Sequence, residues 1–271
     1  MIYGFFYAHW FRKVVDLLCM FTFKLLKMAN RKLLIVSTST VHGKPYLSYV
    51  KNEVKSHFSG CTEIVFIPFA RPGGITWDGY TEVANKFFNQ IGITVRGVHQ
   101  FDDPKTAIEE AHGVFTGGGN TFVLLNEMYS QGLLDPLRRK IANGMPYMGT
   151  SAGSNLTGMT VNNTNDMPIV YPPSFDALGV IPFNINPHYL DPDPTSKHMG
   201  ETRETRIKEY LVFNELPVVG LREGSYLKVT GNDIQLGGEL SMRMFEKGKD
   251  AYEINPGEDV SFLMKGKSRI D

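Results

Sequence analysis

The chain has 271 residues, of which 42% are hydrophobic and 21% charged, with 28 basic side chains against 28 acidic ones. That length and apolar share suit one large globular domain with its own core, and the charge balance lacks the clustered basic excess of a nucleic-acid binder. Two cysteines, Cys19 and Cys61, are too few for a disulfide framework or a cysteine-rich metal site and fit a reducing, cytoplasmic setting.

Residues 1–27 stand apart, with Phe5, Phe6, Trp10, Phe11, Phe21 and Phe23 among scattered charges. They lack the basic start, unbroken apolar stretch and small-residue cleavage site of a signal peptide. Their longest apolar stretch, Leu17 to Phe23, is too short to cross a bilayer, so no stable membrane insertion is expected. An amphipathic helix touching a membrane is the alternative. The expected division is an N-terminal extension over 1–27 and one domain over 28–271, whose first residues, Met28 to Lys32, lead directly into a strand.

The all-apolar run Leu33-Leu34-Ile35-Val36 predicts a strand buried on both faces, ended by Ser-Thr-Ser-Thr. A helix is expected over Leu47 to Phe58, a strand over Ile64 to Ile67 with Cys61 as an inert thiol before it, and a helix over Tyr80 to Asn89. Ile93 to Val98 predicts a third strand, and Asp103-Pro104 a helix start with aspartate as N-cap and proline in the first turn. Gly113 to Thr116 and Pro146 to Met148 predict two more strands, with helices over Thr121 to Tyr129 and Asp135 to Asn143 between them. Short apolar strands alternating with helices imply a three-layer α/β fold: a mostly parallel sheet with helices on both faces. Beyond Pro217 the runs Val218 to Leu221, Tyr226 to Val229, Ile234 to Leu236 and Phe262 to Met264 predict an antiparallel extension of the same sheet.

Two glycine-rich segments fall at the carboxyl edge of this sheet, where sites of such folds form. Gly149-Thr150-Ser151-Ala152-Gly153 matches G-x-S-x-G between a strand and a helix, which presents Ser151 on a tight turn as a nucleophile. The Ala152 N–H would then face the attacked carbonyl oxygen. Gly117-Gly118-Gly119-Asn120 lacks the lysine and spacing of a phosphate loop, and beside such an elbow it supplies the second half of an oxyanion hole through the Gly119 N–H. Of seven histidines, His188, in the polar, proline-stiffened loop Asn184 to Tyr189, is the best placed base. Glu223 and Asp166 are the candidates to orient its ring.

These segments resemble peptidase E, the α-aspartyl dipeptidase family of serine peptidases, and its vertebrate-like members in particular. The resemblance is carried by Gly117 to Phe122, Ser151 to Asn155, Thr164 to Val170, Ile185 to His188, Gly200 to Glu204 and Glu223-Gly224, ordered and spaced as in the family from about Arg31 onward. It implies a fold like the class I glutamine amidotransferases over residues 28–271 and a triad of Ser151, His188 and Glu223, with Asp166 a supporting acidic residue. It implies hydrolysis of dipeptides that begin with α-linked aspartate, through an acyl-enzyme and with no cofactor or metal. Arg203 is the candidate to read the aspartate carboxylate, because a guanidinium binds it as a two-pronged fork, and Asn120 is expected to help line the pocket. The partner is a small peptide; no nucleic acid is expected, and homodimerisation stays open.

Three rival readings are weighed against this. A glutaminase of the same architecture uses cysteine in G-x-C-x-G and a glutamate two residues after its histidine, and Ser151 and Leu190 depart from both. A cyanophycinase-like hydrolase is a second relative, and a non-catalytic binding protein with a degenerate peptidase fold the third. A metallopeptidase is disfavoured by the lack of H-E-x-x-H.

Overall fold

The computed structural model describes residues 30–271 apart from 194, 196 and 198, so the expected extension over 1–27, its boundary at 28 and Cys19 lie outside the described residues. Five parallel strands form the centre: β1 (Lys32–Val36), β2 (Glu63–Ile67), β3 (Thr94–Gly97), β4 (Val114–Thr116) and β5 (Pro146–Thr150). The predicted elements recur with shifts of a few residues at their ends. Asp103 caps its helix as expected, its carboxylate accepting from the Lys105 and Thr106 N–H groups.

The helices flank this sheet on both faces. Strand β1 shows the alternation that a doubly covered strand requires. Leu33 and Ile35 join a core with Leu124 and Leu125 of helix Thr121–Ser130 and Leu137 and Ile141 of helix Leu134–Ala142. Leu34 and Val36 join the opposite core, with Val54 of helix Lys51–His57 and Tyr80, Phe87 and Phe88 of helix Trp77–Asn89.

The C-terminal part departs from the expected single extended sheet. Strands β8 (Tyr226–Thr230) and β9 (Asp233–Gly237) do extend it antiparallel beyond β1, giving the order β3-β2-β4-β5-β1-β8-β9. Val218–Leu221 does not join them. It is β7 of a second, four-stranded sheet ordered β11-β10-β7-β6, with β6 at Asn184–Pro187, β10 at Met242–Phe245 and β11 at Tyr252–Ile254. Phe262 to Met264 is a 3₁₀ turn rather than a strand.

The expected loop at Asn184 to Pro187 is thus a fully buried strand paired in parallel with β7. Its asparagines conceal the pattern, because buried amides are tolerated once bonded. Asn184 accepts from the Thr160 N–H and donates to Thr160 Oγ1 and Tyr210 Oη, and Asn186 donates to the Asn163 carbonyl at 2.8 Å. The charged stretch around Lys197 to Lys208 likewise contains a helix start, Arg203–Phe213, with the Thr202 hydroxyl accepting from the Thr205 N–H as its cap.

Arg31, just before β1, is 1% exposed and pairs with Asp271 while donating to the Val180 carbonyl at 2.8 Å. Burial pulls its pKa down and the adjacent carboxylate opposes that. Removing one partner of a buried pair strands the other charge, so Asp271→Ala should cost ~3 kcal/mol or more. A urea midpoint unchanged from wild type would show that the pair does not hold the end of the chain against β1.

Candidate active site

The carboxyl edge of the central sheet is built around Ser151. Strand β5 ends at Thr150, and the chain turns at once into the four-residue helix Ala152–Asn155. Ser151 makes that turn at φ 52° and ψ −111°, a conformation that costs a side-chain-bearing residue on the order of 1–3 kcal/mol. Its surroundings impose the geometry. The Ser151 N–H donates to the Val36 carbonyl, the Ser154 N–H donates to the Ser151 carbonyl, and the Ser154 hydroxyl donates to the Val36 and Gly149 carbonyls. The two glycines of the motif are required by space: a Cβ on Gly149 would lie 2.3 Å from the Gly153 oxygen, and one on Gly153 would lie 2.3 Å from the Thr116 oxygen.

Gly117 to Asn120 runs against this elbow, so closely that a Cβ on Gly118 would sit 2.9 Å from Ser151 Cβ. The Gly117 N–H donates to the Ile67 carbonyl, the Gly118 N–H to Tyr80 Oη and the Asn120 N–H to the Ala70 carbonyl. The Gly119 N–H is left without a protein acceptor among the described residues, and so is that of Ala152. Gly119 itself has φ 144°, and its α-carbon faces the Ala70 carbonyl, which a Cβ would meet at 2.2 Å.

His188 stands directly after β6, with Nε2 2.9 Å from Ser151 Oγ and Nδ1 2.6 Å from Glu223 Oε1. A carboxylate only accepts, so Nδ1 carries the proton and Nε2 is left to accept from the serine hydroxyl. Of the two orienting candidates the geometry therefore selects Glu223, which follows β7. Asp166 is spent elsewhere: its Oδ2 accepts from the Thr121 N–H at 2.7 Å and from Thr164 Oγ1 at 3.2 Å. Asn120 is engaged in the same way. Its Oδ1 caps helix Thr121–Ser130 by accepting from the Phe122 and Val123 N–H groups, and its Nδ2 donates to the Met167 carbonyl, so its polar atoms are engaged in structure rather than turned to a pocket.

Arg203 is the first residue of its helix and half-buried. Burial and the neighbouring Arg206 lower its pKa, while the Asp166 and Glu223 carboxylates draw it back up. Its Nη1 is buried and has no hydrogen-bond partner among the described residues. A buried guanidinium donor without a partner is able to take a hydrogen bond acceptor, best a charged one.

An alternating chain of charges, which sequence reasoning missed, braces this region. Arg222, next to Glu223, holds Asp191 with Nε and Nη2 at 2.9 and 2.6 Å and Glu253 with Nη1 at 2.8 Å. Arg243 joins Glu253 to Glu204, both at 3.0 Å, and Glu204 adjoins Arg203. No run of residues announces such a chain, because its members come from two strands, a helix and two connecting segments.

Among the described residues no cluster of three or more histidine, cysteine or acidic side chains could hold a metal ion, and no helix is long and apolar enough to cross a membrane. Cys61 donates weakly to the His112 carbonyl, and burial pushes its thiol pKa up, in keeping with an inert role.

Residues 33–237 match the profile of Peptidase family S51. The chain is 46% identical to "Peptidase E" of Streptomyces coelicolor, over 88% of this chain and 97% of that protein. It is 41% identical to a Drosophila melanogaster protein named "Probable alpha-aspartyl dipeptidase", over 87% of this chain and 98% of the other. A crystal structure of a peptidase from an acI-B1 Actinobacterium superposes with a TM-score of 0.64 at 16% identity, covering 86% of this chain and 97% of that one. At that identity the likeness speaks for the fold alone, a mostly parallel α/β sheet flanked by helices.

Gly153→Ala should disrupt the elbow, destabilising the protein by about 1–3 kcal/mol; a variant of unchanged stability and activity would show that the close approach to Thr116 is relieved without cost. Glu253 gives a pH dependence. Hydrogen bonds from Arg222, then Ser241 and Arg243, hold its pKa at about 2 against an ordinary 4.5. Its folded-state pKa is lowered, so its stabilisation is complete above about pH 4.5 and is lost as pH falls towards about 2. Urea unfolding of Glu253→Gln should show a deficit at pH 6 that shrinks steadily on acidification; a deficit independent of pH would exclude the charge chain as its source.

Proposed function

The chain belongs to Peptidase family S51, and from that premise we propose that it hydrolyses dipeptides whose first residue is an α-linked aspartate. One observation carries the reading: Ser151 Oγ, His188 Nε2, His188 Nδ1 and Glu223 Oε1 form a continuous line of hydrogen bonds at 2.9 and 2.6 Å. In this mechanism Ser151 Oγ attacks the peptide carbonyl while His188 Nε2 takes its proton, and Glu223 stabilises the ring cation that results. The carbonyl oxygen gathers negative charge between the Gly119 and Ala152 N–H groups, both without a protein acceptor among the described residues. His188 then protonates the departing amine, leaving an aspartyl ester on Ser151. Water, deprotonated by the same ring, hydrolyses that ester and restores the serine.

Specificity is assigned to Arg203. The side-chain carboxylate of the substrate's aspartate would occupy the idle Nη1, giving the cation the anionic partner that the protein withholds. Asp166 supports the site by fixing the start of helix Thr121–Ser130, directly after the Gly119 turn. The name of the Drosophila relative agrees with this substrate class. The reading places the enzyme in the cytoplasm, acting on small peptides.

Ser151→Ala should lower kcat on Asp-Leu by about 10⁴-fold or more, and a fluorophosphonate should label wild type at Ser151 alone. Undiminished turnover by that variant would end the serine mechanism. Arg203→Ala should reduce kcat/KM for Asp-Leu by about tenfold to a hundredfold, the value of a hydrogen bond to a charged group, and should spare Asn-Leu. An unchanged Asp-Leu to Asn-Leu ratio would relieve Arg203 of the selecting role.

A further inference from the structure

His188 is one of three described non-glycine residues with positive φ, at 54°, a region that side-chain-bearing residues enter uncommonly. The peptide group before it explains how it is kept. That group joins Pro187 to His188, and a side chain bonds each of its polar ends. Its N–H donates to Ser37 Oγ at 3.0 Å, and its C=O accepts from Asn165 Nδ2 at 3.2 Å.

The two partners come from opposite sides and are themselves fixed. Ser37 directly follows β1 and is 0% exposed. Its hydroxyl proton is committed to the Leu221 carbonyl at 2.7 Å, so towards His188 the oxygen can only accept. Its own N–H donates to the Ser225 carbonyl, so Ser37 grips the chain two residues to either side of Glu223 while holding the base. Asn165 sits in the segment between the elbow helix and β6 and exchanges amide hydrogen bonds with Asn186.

We propose that Ser37 and Asn165 are positioning residues that clamp the Pro187–His188 peptide plane and thereby hold the imidazole in line with Ser151 and Glu223. The proposal rests on the triad reading above. A peptide plane bonded at one end can rotate about its flanking bonds; bonded at both ends by anchored groups, it cannot turn without breaking one of them. Rotation of this plane swings the His188 Cα–Cβ bond and moves Nε2 away from the serine oxygen. Substrate binding is assigned to other residues, so losing the clamp acts on the chemical step: a misplacement of about 1 Å costs on the order of 10²-fold in rate.

The test uses the full chain with Ser37→Ala, Asn165→Ala, Ser37→Thr and Ser151→Ala, each measured for kcat and KM on Asp-Leu, for phosphonylation rate by a small fluorophosphonate, and for folded fraction by circular dichroism. In Ser37→Ala and Asn165→Ala, kcat and the phosphonylation rate should both fall about tenfold to a hundredfold, with KM within about twofold and the protein folded. Ser37→Thr, which keeps the hydroxyl, should recover most of the loss. Should the Ser37 variants fail to fold, Asn165→Ala decides the matter, since its side chain lies half-buried in an irregular segment. Undiminished kcat in Asn165→Ala, or a loss confined to KM, would overturn the clamp while an inactive Ser151→Ala left the triad standing. An active Ser151→Ala would remove the premise and the clamp together.

Discussion

Everything at this site depends on the carboxyl end of β1. The Val36 carbonyl receives the Ser151 N–H, the Ser37 hydroxyl receives the His188 N–H, and the Ser37 hydroxyl and N–H bond to the carbonyls of Leu221 and Ser225 on either side of Glu223. The last residue of a central strand and the one after it thus reach the backbone of Ser151, of His188 and of the residues two places to either side of Glu223. The strand is buried on both faces, so this reference point is held by the two largest apolar clusters of the molecule. Precision at the reacting atoms is inherited from packing several layers away.

Around that fixed point the electrostatics are divided between satisfied and unsatisfied groups. Asp191, Arg222, Glu253, Arg243 and Glu204 alternate in sign, and each carboxylate is held below its ordinary range, chiefly by hydrogen bonds from Arg222 to the first two and from Lys208 to Glu204. This chain runs between the neighbours of Glu223 and Arg203 and steadies both without touching the serine. Arg203 is left outside it, beside Asp166 and Glu223 but bonded to neither among the described residues. The network pairs Arg222 and Arg243 and leaves this donor idle, which is the contrast on which the proposed reading of a substrate carboxylate rests.

How much of this was legible in the sequence follows from how local each feature is. The nucleophile elbow and the glycine turn are written in consecutive residues, and both fall at the ends of strands predicted from apolar runs. The cap at Asp103 is equally local. His188 stood out among seven histidines by its polar loop, but reading the residues alone left Glu223 and Asp166 open as its partner, and it was the family resemblance that named Glu223. The second sheet was missed because β6 reads Asn-Ile-Asn-Pro, whose polar residues are buried with their amides bonded across to Thr160 and Asn163. The capping role of Asn120 was hidden for a related reason: polar residues beside a glycine turn look available to a ligand, and only the folded chain shows this one bonded to the start of a helix.

The proposed triad is also divided between two sheets. Ser151 hangs from the seven-stranded sheet, whereas His188 and Glu223 extend from strands of the four-stranded one. The serine and the imidazole proposed to activate it therefore meet across a seam, and any slippage there separates them while every strand is still intact. Warming should silence such an enzyme before it melts it, with turnover fading over a range of temperature in which the circular dichroism spectrum has not yet changed.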